Sequence, residues 1–383
     1  MTNSPSQPLH DVSIVIGGKR ISGWTSYEIG SSMIEPVDHF TVERPFDAEI
    51  WRACVPDSAV KIKIDDTVIL VGFVDDRTKS SGRDGSMMTI NGRDKVGRLI
   101  QESAPYIAYD GLDLLTLAKR VADPWFTDVV LSDARNRYVR LGKGHKAVGG
   151  SEPLILKARK KIHQVTPGTF RWKVIEELVS EAGYLMWSSA DGRELIIGKP
   201  NYSQDVQFLC VQALPGSTRS TTVETLTIRE SVADRYSLIA AVGAAAGDSA
   251  SYGKDTVSRR NYVRNGPGID GTGVDFQYPK RLILTEHNLQ SEEEAIAAAR
   301  LEMDRRDMHK LVVTARMRSH GQISAGTTPT IFAPNTLARV VDEETDLEFN
   351  EICLIHSCRY SSGRQAGETT ELTLVPKGTT LVP

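Results

Sequence analysis

The sequence predicts an α+β protein that is mostly β, and three observations support this fold class. The first hundred residues contain several segments that alternate apolar and polar side chains, as half-buried strands do. From Lys95 to about Pro200 the pattern is mixed, with two amphipathic helical stripes. After Thr222 strand-like segments return and continue close to the C-terminal end. A chain of 383 residues is long enough for roughly two to four domains.

The composition is typical of a soluble globular protein. Hydrophobic residues make up 40% and charged residues 25% of the chain, and the net charge of -3 gives no overall bias toward nucleic acid or anionic membranes. Because no run of about eighteen apolar residues occurs, we expect no segment that spans a bilayer. The N-terminal sequence lacks the basic and apolar regions of a secretory signal, so we expect synthesis and folding in the cytoplasm.

The N-terminal segments predict a small β-barrel or sandwich. "VSIVI" and "KRIS" flank Gly17-Gly18, a strong hairpin signal. A strand region from Tyr27 to Val42, interrupted at Pro36, is followed by a second hairpin around Asp65-Asp66. The segment Val68 to Val74 is almost continuously apolar, which indicates a strand that is covered on both faces or lies in an intersubunit interface.

The stretch "MMTINGRDKVGRLIQES" joins a strand pattern to a short helical pattern at Gly92, Arg93 and Asp94. Gly92 suits a positive φ or a bulge that ends the strand, and Asp94 can cap a helix from Lys95 to Glu102. Arg93 would be free to pair with an acid or with a neighbouring subunit. We interpret the triplet as a structural joint, because a second "GRD" occurs in a polar hairpin loop.

The middle of the chain predicts two helices and a hairpin. One helix lies around Leu112–Ala122. A second runs from Phe170 to Ala182, with Thr169 as its candidate N-cap and Gly183 at its exit. The hairpin that follows has its turn at Asp191-Gly192.

The most basic part of the chain lies between these helices. Nine cations fall between Ser132 and His163, against two acids: Arg135, Arg137, Arg140, Lys143, Lys146, Lys157, Arg159, Lys160 and Lys161. One interpretation is a phosphate-facing patch. We favour a solvated or partner-facing loop, because no aromatic platform is interleaved with the cations.

The C-terminal half predicts a second β-domain with an insertion. Strands resume at "TVETLTIRESVADRYSLIAAVG" and again from Lys310. The material between, about Ser251 to His309, predicts a polar loop and one helix with a capping box at Ser291 and Glu294.

The sequence offers no convincing metal or nucleotide site. Four cysteines are too few and too scattered for a disulfide framework. Strand alternation predicts that Cys353 faces away from His356 and Cys358, which disfavours a shared zinc ion. "GPGIDG" (266–271) matches a dinucleotide-binding expression without its strand and helix, and "DGTGVD" lacks the glutamate of a calcium loop.

Catalytic motifs are also missing from the sequence. G-x-x-x-x-G-K-[ST], G-x-S-x-G and H-E-x-x-H do not occur. A Ser/His/Asp site could assemble from distant residues, but we interpret the histidines, among them His10 and His320, as ordinary surface or interface residues. Carboxylate pairs such as Asp75-Asp76 lie at strand ends and turns, where solvated acids are common. We therefore expect no enzymatic activity.

The chain resembles the baseplate hub protein of Mu-like contractile phage tails in the order of five segments: "TINGRDKVGRLI", "TPGTFRWKVIEELVSEAGYLMWSSADGREL", "SVADRYSLIAAVG", "FAPNTLARVVDEETDL" and "GETTELTLVP". Its most specific points are the joint, the helix exit with its hairpin, and one turn: Gly92, Arg93, Asp94, Gly183, Asp191, Gly192, Pro334 and Asn335. The chain departs from the resemblance in the basic segment and in a Gly-rich stretch near Gly247–Gly273.

The resemblance implies a hub fold that is shared with type VI secretion spike proteins. It implies two similar antiparallel β-barrel, tube-type domains with α/β insertions. The expected division is a first barrel at 1–100, an α/β collar at 101–205, a second barrel at 206–250 and 310–383, and a loop-and-helix insertion at 251–309.

The resemblance also implies an assembly. A homotrimer would join a six-fold tail tube, or its tube initiator protein, to a three-fold central spike, with baseplate wedge proteins outside and DNA only in transit through the lumen. It implies a place in the virion tail after assembly in the host cytoplasm, no membrane insertion, and no cofactor, metal or catalytic residue. The alternatives are a tail-tip cell-wall hydrolase and a soluble β-rich ligand-binding protein.

Overall fold

The computed structural model describes most of the chain, namely residues 10–83, 85–105, 114–132, 138–139, 165–181, 184–244, 257–264, 279–286, 292–322, 329–343, 349–363 and 367–377. Within these residues the protein is mostly β, with antiparallel pairing dominant, as the sequence predicts.

The first β-unit, as we call residues 12–94, consists of β1 (Val12–Ile16), β2 (Lys19–Ile21), β3 (Ser26–Ser32), β4 (His39–Pro45), helix α1 (Ala48–Ala53), β5 (Ala59–Ile64), β6 (Thr67–Gly82) and β7 (Gly85–Asp94). The two predicted hairpins are confirmed: Gly17 and Gly18 have φ of 54° and 80°, and Asp65 has φ of 53°. The region Tyr27–Val42 forms the hairpin of β3 and β4 and is interrupted as predicted.

The α/β region follows with α2 (Val96–Gln101), α3 (Leu114–Ala122), β8 (Asp128–Ser132), β9 (Tyr138–Val139), α4 (Arg171–Glu181), β10 (Leu185–Ser188) and β11 (Glu194–Gly198). Its sheet has the order β10-β11-β8-β9, with β11 parallel to β8. Helix α4 begins after Phe170, which bridges to Ser103, so the helix starts one residue later than a cap at Thr169 requires. Strand β8 was not predicted, because "DVVLS" is too short to show a period.

The remaining elements are β12 (Val206–Gln212), β13 (Thr225–Glu230), β14 (Leu238–Ala244), β15 (Val257–Arg264), β16 (Arg281–Glu286), α5 (Glu292–Asp307), β17 (Leu311–Met317), β18 (Gly321–Gln322), β19 (Thr330–Ile331), β20 (Thr336–Asp342), β21 (Phe349–Gly363) and β22 (Gly367–Pro376). We call β12, β13 and β17–β22 the second β-unit.

The insertion between β13 and β17 corrects the sequence analysis. Strands β15 and β16 occupy part of the segment where we expected only a polar loop and a helix. They flank β14, which we expected to continue the second β-domain. Helix α5 covers this sheet, with Ala295 and Ala299 packed beside Ile239 and Ala241. Strand periodicity shows where a strand lies and not which sheet it joins, which explains the error.

The two β-units have the same strand order. The first follows β3-β4-β7-β6-β5-β1, and the second follows β13-β17-β22-β21-β20-β12, so the members correspond one to one along the chain. Strands β7 and β22 each have ten residues, and β6 and β21 have 16 and 15. Both long strands carry a bulge, at Asp75 in β6 and at His356 in β21. Only the last pair of each order differs, because β12 runs parallel to β20 and β1 antiparallel to β5.

Individual bonds repeat as well. Thr25 N donates to Glu43 O at 2.7 Å, and the corresponding Glu224 N donates to Arg316 O at 2.6 Å. Strand β3 of the first unit pairs with β21 of the second, so the strands form one continuous sheet. A single apolar core spans both units.

Candidate functional site

The joint after β7 depends on a very close approach of two strands. A Cβ on Gly92 would lie 2.2 Å from Phe73 O and 2.5 Å from Phe40 Cε1, and a Cβ on Gly72 would lie 1.9 Å from Arg93 O. Gly92 does not have a positive φ, so that part of our expectation is wrong. The bulge lies on the opposite strand, between Val74 and Asp76. The glycine is needed because no side chain fits between β6, β7 and Phe40.

Arg93 pairs with an acid of its own chain. Its Nε and Nη2 donate to Asp75 Oδ2 and Oδ1 at 2.5 and 3.0 Å, a bidentate geometry. The bond to Asp75 raises the pKa of Arg93. Because Asp75 is the bulged residue of β6, the pair fixes the bulge against the end of β7.

Asp94 belongs to a buried pair of carboxyl groups. Its Oδ2 accepts the Ser188 hydroxyl at 2.7 Å, and its backbone N–H donates to Asp38 O at 2.9 Å. Burial and then the Asp38 charge raise the pKa of Asp94 well above its usual value. Burial also raises the pKa of Asp38 to about 7, although Ser31 and Ser32 donate to its carboxylate.

The capping role of Asp94 differs from our expectation. Helix α2 begins at Val96, so Lys95 and not Asp94 holds the N-cap position, and the Lys95 side chain makes no capping hydrogen bond. The N–H groups of Val96 and Gly97 do favour the ionised form of Asp94 and lower its pKa against the larger effect of burial. Asp94 thus links the first turn of α2 to Ser188 in β10, from the α/β sheet.

The outer face of β6 is covered by the α/β region. Phe73 packs edge-on against Trp125, with ring centroids 5.7 Å apart, and the Arg98 guanidinium lies 4.4 Å from the Phe73 ring. A Cβ on Gly192 would lie 2.8 Å from Val71 Cβ. These contacts favour the first of the two alternatives for Val68–Val74, a strand covered on both faces, with the cover at Val71 and Phe73 from the same chain.

The second motif, the turn at Asp191-Gly192, lies close to this joint. Gly192 has φ of 64° in the turn between β10 and β11, as predicted for Asp191-Gly192. Asp191 Oδ1 accepts the Ser189 hydroxyl at 2.7 Å and the Arg193 N–H at 3.1 Å. Burial lowers the pKa of Lys95, and the nearby Asp191 charge opposes this shift. Hence the joint at Gly92–Asp94 and the turn at Asp191-Gly192 form one contact region.

An ion pair with a buried arginine and a partly exposed glutamate joins the helices of the α/β region. Arg171 Nη2 contacts Glu102 Oε1 at 2.8 Å, and Arg171 Nη1 donates to the carbonyls of Val121 and Asp123. Glu102 also accepts the Trp125 indole N–H at 2.6 Å. This network ties the start of α4 to α2 and α3.

The third motif marks where the chain leaves the α/β region. Asn335, with φ of 61°, accepts the Asn201 N–H on its Oδ1 at 2.8 Å, and its carbonyl accepts the Gln204 amide at 2.6 Å. Pro56-Asp57 repeats Pro334-Asn335 in the first β-unit. Asp57 has φ of 74° and donates its N–H to Val74 O, as Asn335 does to Ile355 O, both at 2.8 Å.

Two histidines that we interpreted as ordinary residues form a buried cluster between the β-units. The His10 ring bonds to Asp65 Oδ2 at 2.8 Å and to Ser319 Oγ at 2.9 Å, and it stacks on His320. His320 in turn bonds to Tyr27 at 2.6 Å and to Thr370 at 2.8 Å. Burial and the charge of His10 lower the pKa of His320 to about 3, so this ring is neutral.

The hydrogen-bond order Ser319, His10, Asp65 is also that of a serine hydrolase triad. The His10 side chain is 1% exposed, however, and its backbone N–H is bound to Glu368. Each unit supplies partners for both rings, so we interpret the cluster as an attachment between the units. No local sequence pattern could predict this cluster, because its members lie up to about 360 positions apart along the chain.

The cysteine arrangement corrects one prediction. The bulge at His356 interrupts the alternation of β21, so Cys353 and Cys358 both face the large β-core. Burial raises the pKa of Cys353 to about 12 and that of Cys358 further. Among the described residues, no group of three or more His, Cys, Asp or Glu is placed to hold a metal ion. The described helices likewise include none that is long and apolar enough to cross a membrane.

Several predicted features lie outside the described residues. They are Gly183, Ser291, the nine cations of the basic segment, "GPGIDG" and "DGTGVD".

Comparison with known proteins places the fold. Residues 11–94 match the family described as Mu phage baseplate assembly protein GpP-like, N-terminal, and the match ends at Asp94, the last residue of the joint. A tail protein from Neisseria meningitidis MC58 shares 19% identity over 97% of both chains, with a TM-score of 0.74. The 43 kDa tail protein of prophage MuSo2 from Shewanella oneidensis shares 20% identity over 97% of this chain and 100% of that one, with a TM-score of 0.70.

A more distant match is the E. coli c3393 protein, described as a type VI secretion component with structural similarity to T4 tail proteins gp27 and gp5. It shares 10% identity over 96% of this chain and 78% of that one, with a TM-score of 0.56. No curated protein sequence matches the chain.

The chain therefore has the fold of phage tail proteins and their type VI secretion relatives, as the resemblance implies. More particularly, its first β-unit is similar to the N-terminal domain of the Mu phage baseplate assembly protein GpP-like family.

Proposed function

We propose that this protein is the structural hub of a contractile phage tail baseplate or a related injection device. The observation that carries the proposal is the full-length likeness to two phage tail proteins, which covers 97% of this chain in each case. The GpP-like first β-unit supports a place in the baseplate rather than elsewhere in the tail.

The repeat of the β-units supports a trimeric ring. Three copies of a chain with two units of the same strand order present six similar β-domains, so a closed heterologous ring can stack on a six-fold tube. The opposite side of the trimer would keep three-fold symmetry for a central spike. In this proposal the two units are tube-type barrels, and the α/β region forms the outer collar.

Contacts near the joint support separate roles for the first β-unit, as a ring domain, and the α/β region, as the collar. The Ser188–Asp94 hydrogen bond, the aromatic contact of Phe73 with Trp125 and the close approach of Gly192 to Val71 hold the α/β region on the first β-unit. Tail tube or tube initiator, spike and wedge proteins would be the partners, and DNA would only pass through the lumen. The protein would reside in the virion tail after assembly in the host cytoplasm, and it would act without catalysis or a cofactor.

Light scattering on the purified full-length chain tests the proposal. At micromolar concentration we expect a particle with three times the chain mass. A monodisperse monomer would count against the hub and favour the soluble ligand-binding alternative. A zymogram on purified peptidoglycan addresses the remaining alternative, and clearing of the gel by this protein would favour a cell-wall hydrolase.

A further inference from the structure

The contact between the two β-units within one chain has a defined register. Strand β3 pairs antiparallel with the second half of β21, with Glu28 opposite Ser361 and Ser32 opposite Ser357. Just beyond the strand, Met33 N donates to His356 O at 3.0 Å. Met33 is 1% exposed and packs with Leu354 and Val375.

The repeat identifies the counterpart of each side of this contact. Strand β13 corresponds to β3, since Thr225 faces Arg316 of β17 as Ser26 faces Glu43 of β4. The second half of β6 corresponds to the second half of β21. Asp76 is the first residue after the bulge of β6, as Ser357 is in β21, and each strand ends six residues further on. Thr227 and Ser80 are thus the counterparts of Glu28 and Ser361.

Both counterparts have an open edge. Strand β13 pairs only with β17, and residues 76–82 of β6 pair only with β7, within the described part of the chain. In contrast, the outer edge of β12 is closed by side chains: Gln322 bonds to both Leu209 N and Leu209 O, and Thr222 Oγ1 accepts the Val211 N–H. A six-residue edge without such protection is a strand-pairing site.

These two edges are not paired with each other within the described part of the chain. They are separated in the continuous sheet by β17, β22, β21, β3, β4 and β7. Strands lie about 4.8 Å apart, so the separation measured along the sheet is on the order of 30 Å. A second copy of the chain can supply the missing edge.

We propose that β13 of one copy pairs antiparallel with residues 76–81 of β6 in the next copy, which deepens the trimeric hub proposed above and rests on it. The register of the contact within the chain transfers directly. It places Thr227 opposite Ser80, Arg229 opposite Thr78 and Glu230 opposite Arg77. Val232 N would donate to Asp75 O, as Met33 N does to His356 O.

Charge and exposure agree with a second copy as the occupant. Glu230 and Arg77 are opposite charges directly across the new strand pair, and Arg229 lies diagonal to Asp76 on the other face. The Arg77 guanidinium already donates to the Trp51 and Cys54 carbonyls, so Glu230 would add a second partner to a cation that is held in place. Val232 is 56% exposed, whereas Met33, its counterpart in the first β-unit, is buried. The new contact would cover Val232 as the contact within the chain covers Met33. The same interface then occurs six times around the ring, three times within chains and three times between them.

Cysteine cross-linking tests the register. The double variant Ser80→Cys/Thr227→Cys places two thiols directly opposite across the new pair, within the Cα separation that a disulfide requires. The native cysteines are buried and do not compete. On mild oxidation we expect most of the protein to shift from the single-chain band to covalent dimers and trimers on a non-reducing gel.

Two matched variants control the experiment. Glu28→Cys/Ser361→Cys uses the same geometry within the chain and should form a disulfide without any increase in mass. Ser80→Cys/Ser231→Cys is displaced by four residues, about 13 Å along the strand, and should not cross-link. Cross-linking of the displaced pair to the same extent would overturn the register.

Light scattering on the same samples separates the two proposals. A trimer in which Ser80→Cys/Thr227→Cys stays uncross-linked, while the intrachain control forms, overturns this interface and leaves the hub intact. A monomer under all conditions overturns both. A trimer with the expected cross-link supports both.

Discussion

At the scale of single residues, the joint is determined by steric fit and by burial of charge. The triplet Gly92, Arg93 and Asp94 was predictable as a boundary from the change of period around it. The reason for each residue was only partly predictable. Gly92 is required by the approach of Phe73 and Phe40, which are 19 and 52 positions away, and local sequence carries no information on such contacts.

Substitution of Gly92 by alanine tests the close approach. The new methyl would meet the Phe73 carbonyl oxygen, a backbone atom that cannot move without shifting β6. We expect Gly92→Ala to lower the free energy of unfolding by about 1–3 kcal/mol in urea denaturation. Gly82→Ala, where a Cβ would contact nothing within 4 Å, is the control and should change it by less than about 0.5 kcal/mol. Equal effects of the two substitutions would contradict the steric explanation.

The buried carboxyl pair predicts a pH dependence. Because the pKa of Asp38 is raised to about 7 in the folded protein, the folded state holds its proton more tightly than the unfolded chain. The resulting stability is complete below the ordinary aspartate pKa near 4 and is lost as the pH rises toward 7. We expect Asp38→Asn to reduce this fall, measured as the free energy of unfolding at several pH values. Asp66→Asn, at a 93% exposed side chain, is the control, and an equal reduction there would argue against the buried pair.

At the scale of elements, the sequence predicted most helices, hairpins and turns but not their partners. Helices α3, α4 and α5 and the turns at Asp65 and Gly192 lie where periodicity and turn chemistry placed them. The pairing of β14 with β15 and β16, and the common facing of Cys353 and Cys358, were missed. Tertiary packing determines which sheet a strand joins and where a single-residue bulge occurs. The alternation of apolar and polar residues along one strand contains no information on either.

The ion pair of Arg171 tests the packing of α4 on α2. Arg171→Ala would leave the Val121 and Asp123 carbonyls without their donor in a largely buried place, and we expect a loss of about 2 kcal/mol of stability. Arg193→Ala removes a 79% exposed guanidinium that lies 3.7 Å from Asp191, and should cost less than about 1 kcal/mol. Thermal and chemical denaturation would measure both, and similar losses would contradict the buried role of Arg171.

At the scale of the whole molecule, the repeated strand order is the feature with most consequence. It was expected from the family resemblance and is not visible in residue periodicity, because the two units share almost no continuous sequence pattern beyond "PDS" and "PNT". The strand pairings and repeated bonds show it directly. It also gives the two open edges a common explanation.

The exposed valine beside β13 tests the assembly at this scale. Val232→Glu would place a charge where the proposed contact buries an apolar side chain, so we expect at least a tenfold weaker association by sedimentation. Ile283→Glu, at a 69% exposed isoleucine of the insertion, changes the same property elsewhere and should leave the association unchanged. Loss of association in Ile283→Glu alone would point to a different interface.

In the proposed assembly three chains present six similar β-domains around a hole, and negative-stain imaging of the purified protein tests this arrangement most directly. Class averages viewed along the axis should show a closed ring with a central hole and six inner lobes, in two alternating types, with a three-fold outer contour. Averages that show isolated single chains, or a closed particle of two-fold symmetry, would contradict the account.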